Sequence, residues 1–582
     1  MKDVLQDKTS IQGRKCLWRF KKTDMDVVKA IASRHSMSLP IAQTLYSRGF
    51  ISKHEIDSFL FMSRERDVAH PSLLKDGVIA AERVLRAIKD KEKILIFGDY
   101  DVDGITSTSL LLVALLPLGA SINYYLPNRY KEGYGLSVAV VEKAAKHGYS
   151  LIVTVDNGIT AHEAAKRASE LGIDLIITDH HRPHKELPIA IAIVDPNQDG
   201  CSYPYKKLAG VGVIFKIVSL IYEMKNQDLP EKAYELLMLG TVADVVPLTE
   251  ENRFWVRNGL CQVNKCKSLA MSVLAENSKL TKSRWGSLDI GFMIAPQINA
   301  LGRLDDPREA VKFLISSNSD DVARVGKILK TMNDERKKVE RRIYDEIESV
   351  IVNKGIDLDQ ENIIIAASSR WPSGVIGLVA GRLMNNYGKP AFLFHERKDG
   401  TLRGSCRSIR EFDIFSALQE NKDLLLSFGG HSFAAGLTLK KDNMVELKQR
   451  LEEKIASELP PEELQPKLEV DAECRLPDMT KNLLGDLEQL EPFGNSNIQP
   501  TFIFKEVTQL NKPAVLKDKH VKCIIFSEGV VKPAIFFNRP DLIPFFNTVG
   551  DKPLHVVGHV IKNEWKDSVK IEMQGLDVAI AD

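Results

Sequence analysis

The stretch Lys93-Ile94-Leu95-Ile96-Phe97-Gly98-Asp99-Tyr100-Asp101-Val102-Asp103-Gly104-Ile105-Thr106 decides how this chain is read. A short apolar run, Ile94 to Phe97, has the length of a fully buried strand. It stops at three aspartates and a glycine. Asp101 and Asp103 are two apart in a glycine-terminated loop, so both can turn towards one site. Gly104 permits a close backbone approach before a helix that is predicted to start at Thr106, and a helix N-terminus favours anions. The pattern recurs. Leu151–Val155 runs into Asp156-Asn157-Gly158, and Leu175-Ile176-Ile177-Thr178 runs into Asp179-His180-His181. Asp244, in Gly240-Thr241-Val242-Ala243-Asp244-Val245-Val246, reads as a fourth acidic strand end.

Strands near 93–98, 121–125, 151–155, 174–178 and 190–194 alternate with helical stretches at 106–116, 137–147 and 160–171. Such alternation predicts βαβ units and a mostly parallel sheet. Ligands of open parallel sheets bind outside the carboxyl ends of the strands, so the acidic clusters would meet in space. Several carboxylates cannot share a site without a cation. A donor set of carboxylates with one or two imidazoles and no thiolate suits manganese or magnesium better than zinc. Two such ions would activate a water and steady the leaving oxygen of an in-line attack on phosphorus. Any one acidic residue after a strand is ordinarily a cap or turn former. Asp-x-Asp-x-x-Gly and Asp-His-His together are not explained that way.

The chain has 582 residues, too many for one hydrophobic core, and three or four domains are expected. It is 44% apolar and 27% charged with a formal net charge of +1, so any nucleic acid must bind through a local basic groove. Seven cysteines without a C-x-x-C pair fit reduced thiols. Met1 to Phe20 has no apolar stretch of the signal-peptide kind. Leu110–Leu118 is too short to cross a bilayer and contains Pro117, so no membrane association and a cytoplasmic location are expected.

Residues 1–65 read as an N-terminal helical segment, with helices at 26–36 and 40–48, and 66–320 as the catalytic α/β lobe. Residues 321–352, long, charged and without Pro, read as a connector helix. Its basic run Arg336-Lys337-Lys338 alternates with acidic residues and reads as a solvated face. A smaller α/β lobe follows at 353–457, with strands at 363–367, 391–395 and 402–407, a helix at 374–384 and the motif Gly429-Gly430-His431. After a linker at 458–463, residues 465–582 carry short strand-like runs that suggest a β-barrel of the OB-fold kind. There, Lys512, Lys517, Lys519 and Lys522 lie near Phe502, Phe504 and Phe526, a combination compatible with tracking a single strand. Core phenylalanines and exposed lysines are equally ordinary in β-barrels.

The series Asp-Tyr-Asp-Val-Asp-Gly, Val-Asp-Asn-Gly-Ile, Thr-Asp-His-His and Thr-Val-Ala-Asp resembles the motifs of the DHH phosphoesterase superfamily. From about residue 70 onward the chain is similar to its branch of bacterial single-strand-specific 5′→3′ DNA exonucleases. That likeness includes Gly429-Gly430-His431 with Ala434-Ala435-Gly436, and Pro492-Phe493-Gly494 followed by Pro500 and Phe502. It implies a DHH lobe, a DHHA1 lobe and an OB-fold. It also implies hydrolysis of single-stranded DNA from a 5′ end to 5′-mononucleotides with two Mn2+ or Mg2+ ions, in recombination and repair. The implied metal ligands are Asp101, Asp103, Asp156, His180 and Asp244, with Asp103 and Asp156 bridging and His181 stabilising the scissile phosphate. Asp99 ranks lower as an outer ligand, and Asp179 as a residue that orients a neighbour. Ser405 and Arg407 match the 5′-phosphate contacts, a guanidinium giving bidentate bonds to phosphate. Arg303 and His431 match further substrate contacts, although His431 also reads as a packed core histidine and Arg407 as a surface ion pair. A single-strand-binding protein and a RecQ-type helicase are the partners implied.

The chain departs from the pattern at Gln297, where relatives carry arginine, at Pro372, where many carry histidine, and at Phe97, a histidine in pyrophosphate-hydrolysing members. The first weakens an expected phosphate contact, and the last weakens one metal. Two alternatives share the superfamily core: a phosphodiesterase of oligoribonucleotides or cyclic dinucleotides, and a non-catalytic replication scaffold. The added C-terminal block argues against the former and the intact ligand set against the latter.

Overall fold

The structure is a computed structural model that describes residues 10–127, 135–304, 306–358, 360–565 and 568–581, without the side chains of 303, 304, 565 and 568. The chain divides into two compact units. One comprises His54–Asp334 with Gln489–Gln499, the other the residues up to Lys53, Glu335–Glu488 and those from Pro500 onward.

The first unit is built on five parallel strands, β1 (Lys93–Gly98), β2 (Ser121–Tyr125), β3 (Leu151–Val155), β4 (Asp174–Thr178) and β5 (Ala192–Val194). Their order is β2-β1-β3-β4-β5. Alternate side chains explain why β1 is apolar throughout. Ile94 and Ile96 enter the core on one face of the sheet, Leu95 and Phe97 that on the other. A sheet covered on both faces buries continuous apolar strands. The strand order reverses between β1 and β3, and a crevice forms at such a switch point. Asp99–Asp103 follow β1 and Asp156 follows β3, so the two acidic loops flank it.

The crossover helices are α1 (Val102–Leu115), α2 (Val138–Lys146) and α3 (His162–Glu170), followed by α4 (Gly210–Met224) and α5 (Glu231–Ala243). Two expectations are corrected here. Helix α1 starts at Val102 rather than Thr106, because Asp101 caps it by accepting the Gly104 amide at 3.1 Å. Asp103 therefore sits in the first helical turn. Asp244 does not end a strand; it is the C-cap of α5, whose β-branched Thr241-Val242 mimics a strand in sequence.

Helix α6 (Ser319–Asn353) is continuous over 35 residues, one or two longer at each end than expected. In the second unit, β6 (Ile364–Ser368), α7 (Ile376–Tyr387), β7 (Ala391–Glu396), β8 (Thr401–Arg407), β9 (Leu425–His431) and β10 (Ala434–Lys440) form a sheet of order β9-β10-β8-β7-β6. Leu402 and Cys406 of β8 point into a core with Phe392 and Leu437, which places Ser405 and Arg407 on the other face.

The C-terminal block has strands β11 (Ala472–Glu473), β12 (Phe502–Gln509), β13 (Ala514–Leu516), β14 (His520–Ser527), β15 (Val530–Phe536), β16 (Leu554–Trp565) and β17 (Ser568–Ile580). Their order is β11-β12-β16-β17-β15-β14-β13. Strands β12 and β14 meet again only at Thr508–Phe526 and Gln509–Ile525, so the expected barrel stays incompletely closed among the described residues. The N-terminal segment is not wholly helical. Ser10–Gln12 and Leu17–Phe20 form a hairpin that pairs in parallel with Lys467–Val470. Trp18, fully buried, donates Nε1 to Asp577 Oδ2 at 3.1 Å, which ties the hairpin to β17. The charged flanks of this short run hid its strand character.

Candidate metal centre

The loops after β1, β3 and β4 and the C-terminus of α5 each carry one part of the centre. Asp103, buried at the start of α1, accepts the Gly210 amide at 2.6 Å and the Val211 amide at 2.8 Å. Both amides belong to the first turn of α4, whose dipole favours a carboxylate there. Gly104 is required by a close approach, since a Cβ on it would stand 2.5 Å from the Asp99 carbonyl oxygen. Asp156 adopts a left-handed backbone, φ 62°, a conformation that aspartate tolerates better than most residues. This bend swings its carboxylate off the end of β3.

These loops converge. His180 Nε2 lies 3.1 Å from Asp156 Oδ1, 3.7 Å from Asp244 Oδ2 and 3.9 Å from Asp103 Oδ2. Three sets of potential ligand atoms each lie within 4.8 Å of one another: Asp99, Asp101 and Asp156; Asp103, His180 and Asp244; and Asp156, His180 and His181. Asp156 and His180 each belong to two sets, so the sets form one connected cluster. All five expected ligands are in it. Asp99, ranked low from sequence, also joins through Asp101 and Asp156, and Asp103 belongs to a single set.

The electrostatics favour a cation. Two unit negative charges 4.8 Å apart repel by about 3.5 kcal/mol at an effective dielectric constant of about 20. Burial, reinforced by Asp101, pushes the Asp103 carboxyl up to about 7. Burial and the neighbouring aspartates push Asp156 and Asp244 well above the usual carboxylate range. Asp244 Oδ2 is buried and accepts no hydrogen bond among the described residues. Clustered hard oxygens with one imidazole fit Mn2+ or Mg2+.

His181 differs from its neighbour. Asp179 Oδ1 lies 2.7 Å from His181 Nδ1 and accepts the backbone amides of His180 at 2.8 Å and His181 at 3.1 Å. Asp179 Oδ2 accepts the Ile159 amide at 3.0 Å. Burial alone would lower the His181 pKa, but the Asp179 bond, with help from Asp99 and Asp101, raises it to about 9. The Asp179 contact thus favours the imidazolium form of His181 beside the acidic cluster.

In the second unit, Arg407 Nη1 donates to Ser405 Oγ at 3.3 Å and to the Cys406 carbonyl at 2.8 Å. A Cβ on Gly377, in the first turn of α7, would lie 2.7 Å from Ser405 Oγ, so the helix N-terminus closes on this pair. Across β10, Ala434 stands opposite Arg407 on one side and His431 on the other. Only the small side chain of Ala434 stands between Arg407 and His431 in that register. His431 is exposed, which removes the packed-core alternative. The Arg303 side chain lies outside the described residues, although its backbone is in the helix Ala295–Leu304.

Known proteins place this arrangement. The DHH family N-terminal domain matches residues 93–241, the DHHA1 domain 360–457 and the RecJ OB domain 470–577. The single-stranded-DNA-specific exonuclease RecJ of Bacillus subtilis (strain 168) is 35% identical over 570 residues, covering 98% of this chain and 71% of that relative. The chain belongs to the RecJ family. RecJ of Escherichia coli (strain K12) is 34% identical over 515 residues, covering 84% of this chain and 87% of its own. The crystal structure of RecJ in complex with Mn2+ from Thermus thermophilus superimposes with a TM-score of 0.81 at 25% identity, covering 97% of this chain and 80% of that one.

Against that RecJ frame, sequence reading missed several contributors. Asp195 is buried with its carboxyl raised to about 7 by burial, and its Oδ1 accepts the Asn197 amide at 2.7 Å. Asn197 Nδ2 in turn donates to the His180 carbonyl at 2.7 Å, so it supports the histidine loop. An acidic residue right after β5 was the available signal. Gln297 proves interior, donating to the Leu274 and Met293 carbonyls at 2.8 and 2.7 Å, so its side chain satisfies helix carbonyls instead of facing a phosphate. Phe97 is buried and stacks on Tyr125 at 6.0 Å. In the C-terminal block, Phe502 and Phe504 are fully buried and cannot stack on bases, whereas Phe526 is half-buried and Lys512, Lys517 and Lys519 are exposed. Lys522 pairs with Glu572 at 3.3 Å.

Proposed function

We propose that this chain is a metal-dependent exonuclease that hydrolyses single-stranded DNA from a 5′ end to 5′-mononucleotides. The observation that carries the reading is the buried aspartate–histidine cluster around His180 Nε2, in a chain of the RecJ family. Asp101, Asp103, Asp156, His180 and Asp244 would hold two divalent ions, with Asp99 as an additional oxygen donor. When bound, such ions lower the pKa of water and neutralise charge on the phosphate. Mn2+ and Mg2+ are the candidates, and both were found in RecJ of Thermus thermophilus.

The protein's own groups do the positioning. The α4 amides hold Asp103 as an anion source for the metals, and Asn197 and Asp179 fix the backbone that carries His180 and His181. With Nδ1 engaged by Asp179, His181 presents Nε2 as a cationic donor for a phosphate oxygen, where charge grows in the transition state. Ser405, Arg407 and the α7 N-terminus bind the terminal 5′-phosphate, with His431 and Arg303 as further substrate contacts. The lysines of the C-terminal block contribute charge along the strand rather than base stacking on Phe502 or Phe504.

The RecJ OB match favours a polymer substrate over the small-substrate alternative, and the complete acidic cluster favours catalysis over a scaffold. Recombination and repair are the setting we assign, with a single-strand-binding protein and a RecQ-type helicase as partners. We also assign the cytoplasm: all seven cysteines are free thiols, and among the described residues no helix is long and apolar enough to cross a membrane. Polarity is tested on tailed duplexes with Mn2+. A 5′ tail should shorten and a 3′ tail persist; equal loss of both would remove the 5′→3′ assignment.

A further inference from the structure

Pro492-Phe493-Gly494-Asn495-Ser496-Asn497 has had no part in the site so far. Residues Gln489–Gln499 lie in the unit that holds the metal cluster, although the sequence on either side belongs to the C-terminal block. They are anchored there in detail. Fully buried Arg253 donates Nη1 to the Leu490 carbonyl at 2.7 Å and Nη2 to the Gln489 carbonyl at 2.9 Å. Asn497 Nδ2 donates to the Leu490 and Pro492 carbonyls at 2.9 and 2.8 Å, while Gly494 and Asn497 exchange backbone bonds of 2.8 and 3.1 Å. The result is a closed turn with Asn495 at its tip.

Asn495 grips the loop that follows Asp244. Its Nδ2 donates to the Val245 carbonyl at 2.7 Å, and its own carbonyl accepts the Leu248 amide at 2.8 Å. Val245 has φ 59°, a left-handed conformation that is costly for a β-branched side chain. Such strain persists only where the surroundings hold it. Val245 gains little from burial, being 64% exposed, so its side chain does not explain the conformation. Further along, the loop is held by Tyr205, whose Oη donates to the Pro247 and Thr249 carbonyls at 3.2 and 3.1 Å. The strained peptide beside Asp244 is the one that Asn495 holds.

We infer that Asn495 is a positioning residue: by fixing the left-handed Val245 peptide it sets the Asp244 carboxylate beside His180 and so tunes divalent-metal affinity. This rests on the reading of the aspartate cluster as a metal site. Residues that orient metal ligands from behind typically change affinity 10–100-fold.

The test is calorimetric titration of the metal-free full-length chain with MnCl2, together with thermal melting of the same metal-free samples. Asn495→Ala should weaken Mn2+ binding by roughly tenfold while the metal-free melting temperature is retained. An unchanged isotherm, with or without a lower melting temperature, overturns the role and leaves Asn495 as a packing residue. If Asn495→Ala fails to fold, Asn495→Asp keeps the shape and exchanges the donor for an acceptor facing the Val245 carbonyl. It must weaken Mn2+ binding at least as much, and wild-type affinity there also overturns the role. Val245→Gly removes the left-handed penalty. In that background the effect of Asn495→Ala should shrink to within about threefold, and an undiminished loss contradicts the route through Val245. Wild-type protein that binds no Mn2+, or binds it equally after Asp156→Ala, would instead remove the metal-site reading itself.

Discussion

Replacing Asp179 by asparagine should change the pH dependence of cleavage, not only its size. Asp179 Oδ1 meets His181 Nδ1 at 2.7 Å, and burial works against the imidazolium that this contact sustains up to about pH 9. At pH 8 a group titrating at about 9 is roughly nine-tenths protonated, while one at the ordinary value of about 6.5 is roughly 3% protonated. If cationic His181 stabilises the scissile phosphate, Asp179→Asn should therefore cut single-turnover cleavage about 30-fold at pH 8. At pH 6 the variant imidazole recovers much more of its proton and this loss should shrink severalfold. A further loss, equal at all pH values, comes from the Ile159 amide, which asparagine cannot satisfy in the same orientation as the three amide and imidazole donors on Oδ1. The assay is release of a 5′-labelled nucleotide from single-stranded DNA at saturating Mn2+ between pH 6 and 9. A loss of equal size at pH 6 and pH 8 would refute the argument and leave Asp179 a purely structural support.

Asp156→Ala, at the junction of two ligand sets, should reduce Mn2+-dependent cleavage to background in a gel assay while strand binding by fluorescence anisotropy is largely retained. Arg407→Ala should raise KM for a 5′-phosphorylated strand about tenfold or more, the value of a charged hydrogen bond, with little effect on a 5′-hydroxyl strand. Because Asp103 titrates at about 7 in the metal-free site, apparent Mn2+ affinity by calorimetry should rise from pH 6 to pH 8 with release of protons. The same raised value fixes a stability sign. The folded state holds the Asp103 proton more tightly than the unfolded chain, so its contribution is full below about pH 4 and is lost as pH rises through about 7. Melting curves of metal-free protein should show that decline, Mn2+ should reverse it, and Asp103→Asn should lessen it, leaving the part contributed by Asp156 and Asp244.

Much of the catalytic unit was legible because its signals are local. A buried parallel strand has to be apolar throughout, and a carboxylate at its end lies where ligands bind, so β1, β3 and β4 and their acidic loops could be read directly. The start of α1 was misplaced because the capping role of Asp101 depends on its side-chain bond to Gly104, which spacing does not reveal. Asp244 was found by motif but assigned to the wrong element, since Thr241-Val242 carries strand propensity and tertiary packing decides in favour of helix. The hairpin at residues 10–20 was missed because its partners, Lys467–Val470 and Asp577, are more than 400 residues away. Asn495 behind Val245 was hidden in the same way, 250 residues away, whereas Asn197 lies only 17 residues from His180 and its side-chain bond to that backbone leaves no pattern in the sequence. Phe502 and Phe504 look like stacking residues until burial is known.

Anomalous scattering from crystals grown with MnCl2 tests the central claim most directly. Two peaks should stand among Asp99, Asp101, Asp103, Asp156, His180 and Asp244, with Asp156 touching both. Peaks confined to other parts of the surface, with this cluster empty at saturating Mn2+, would contradict the account.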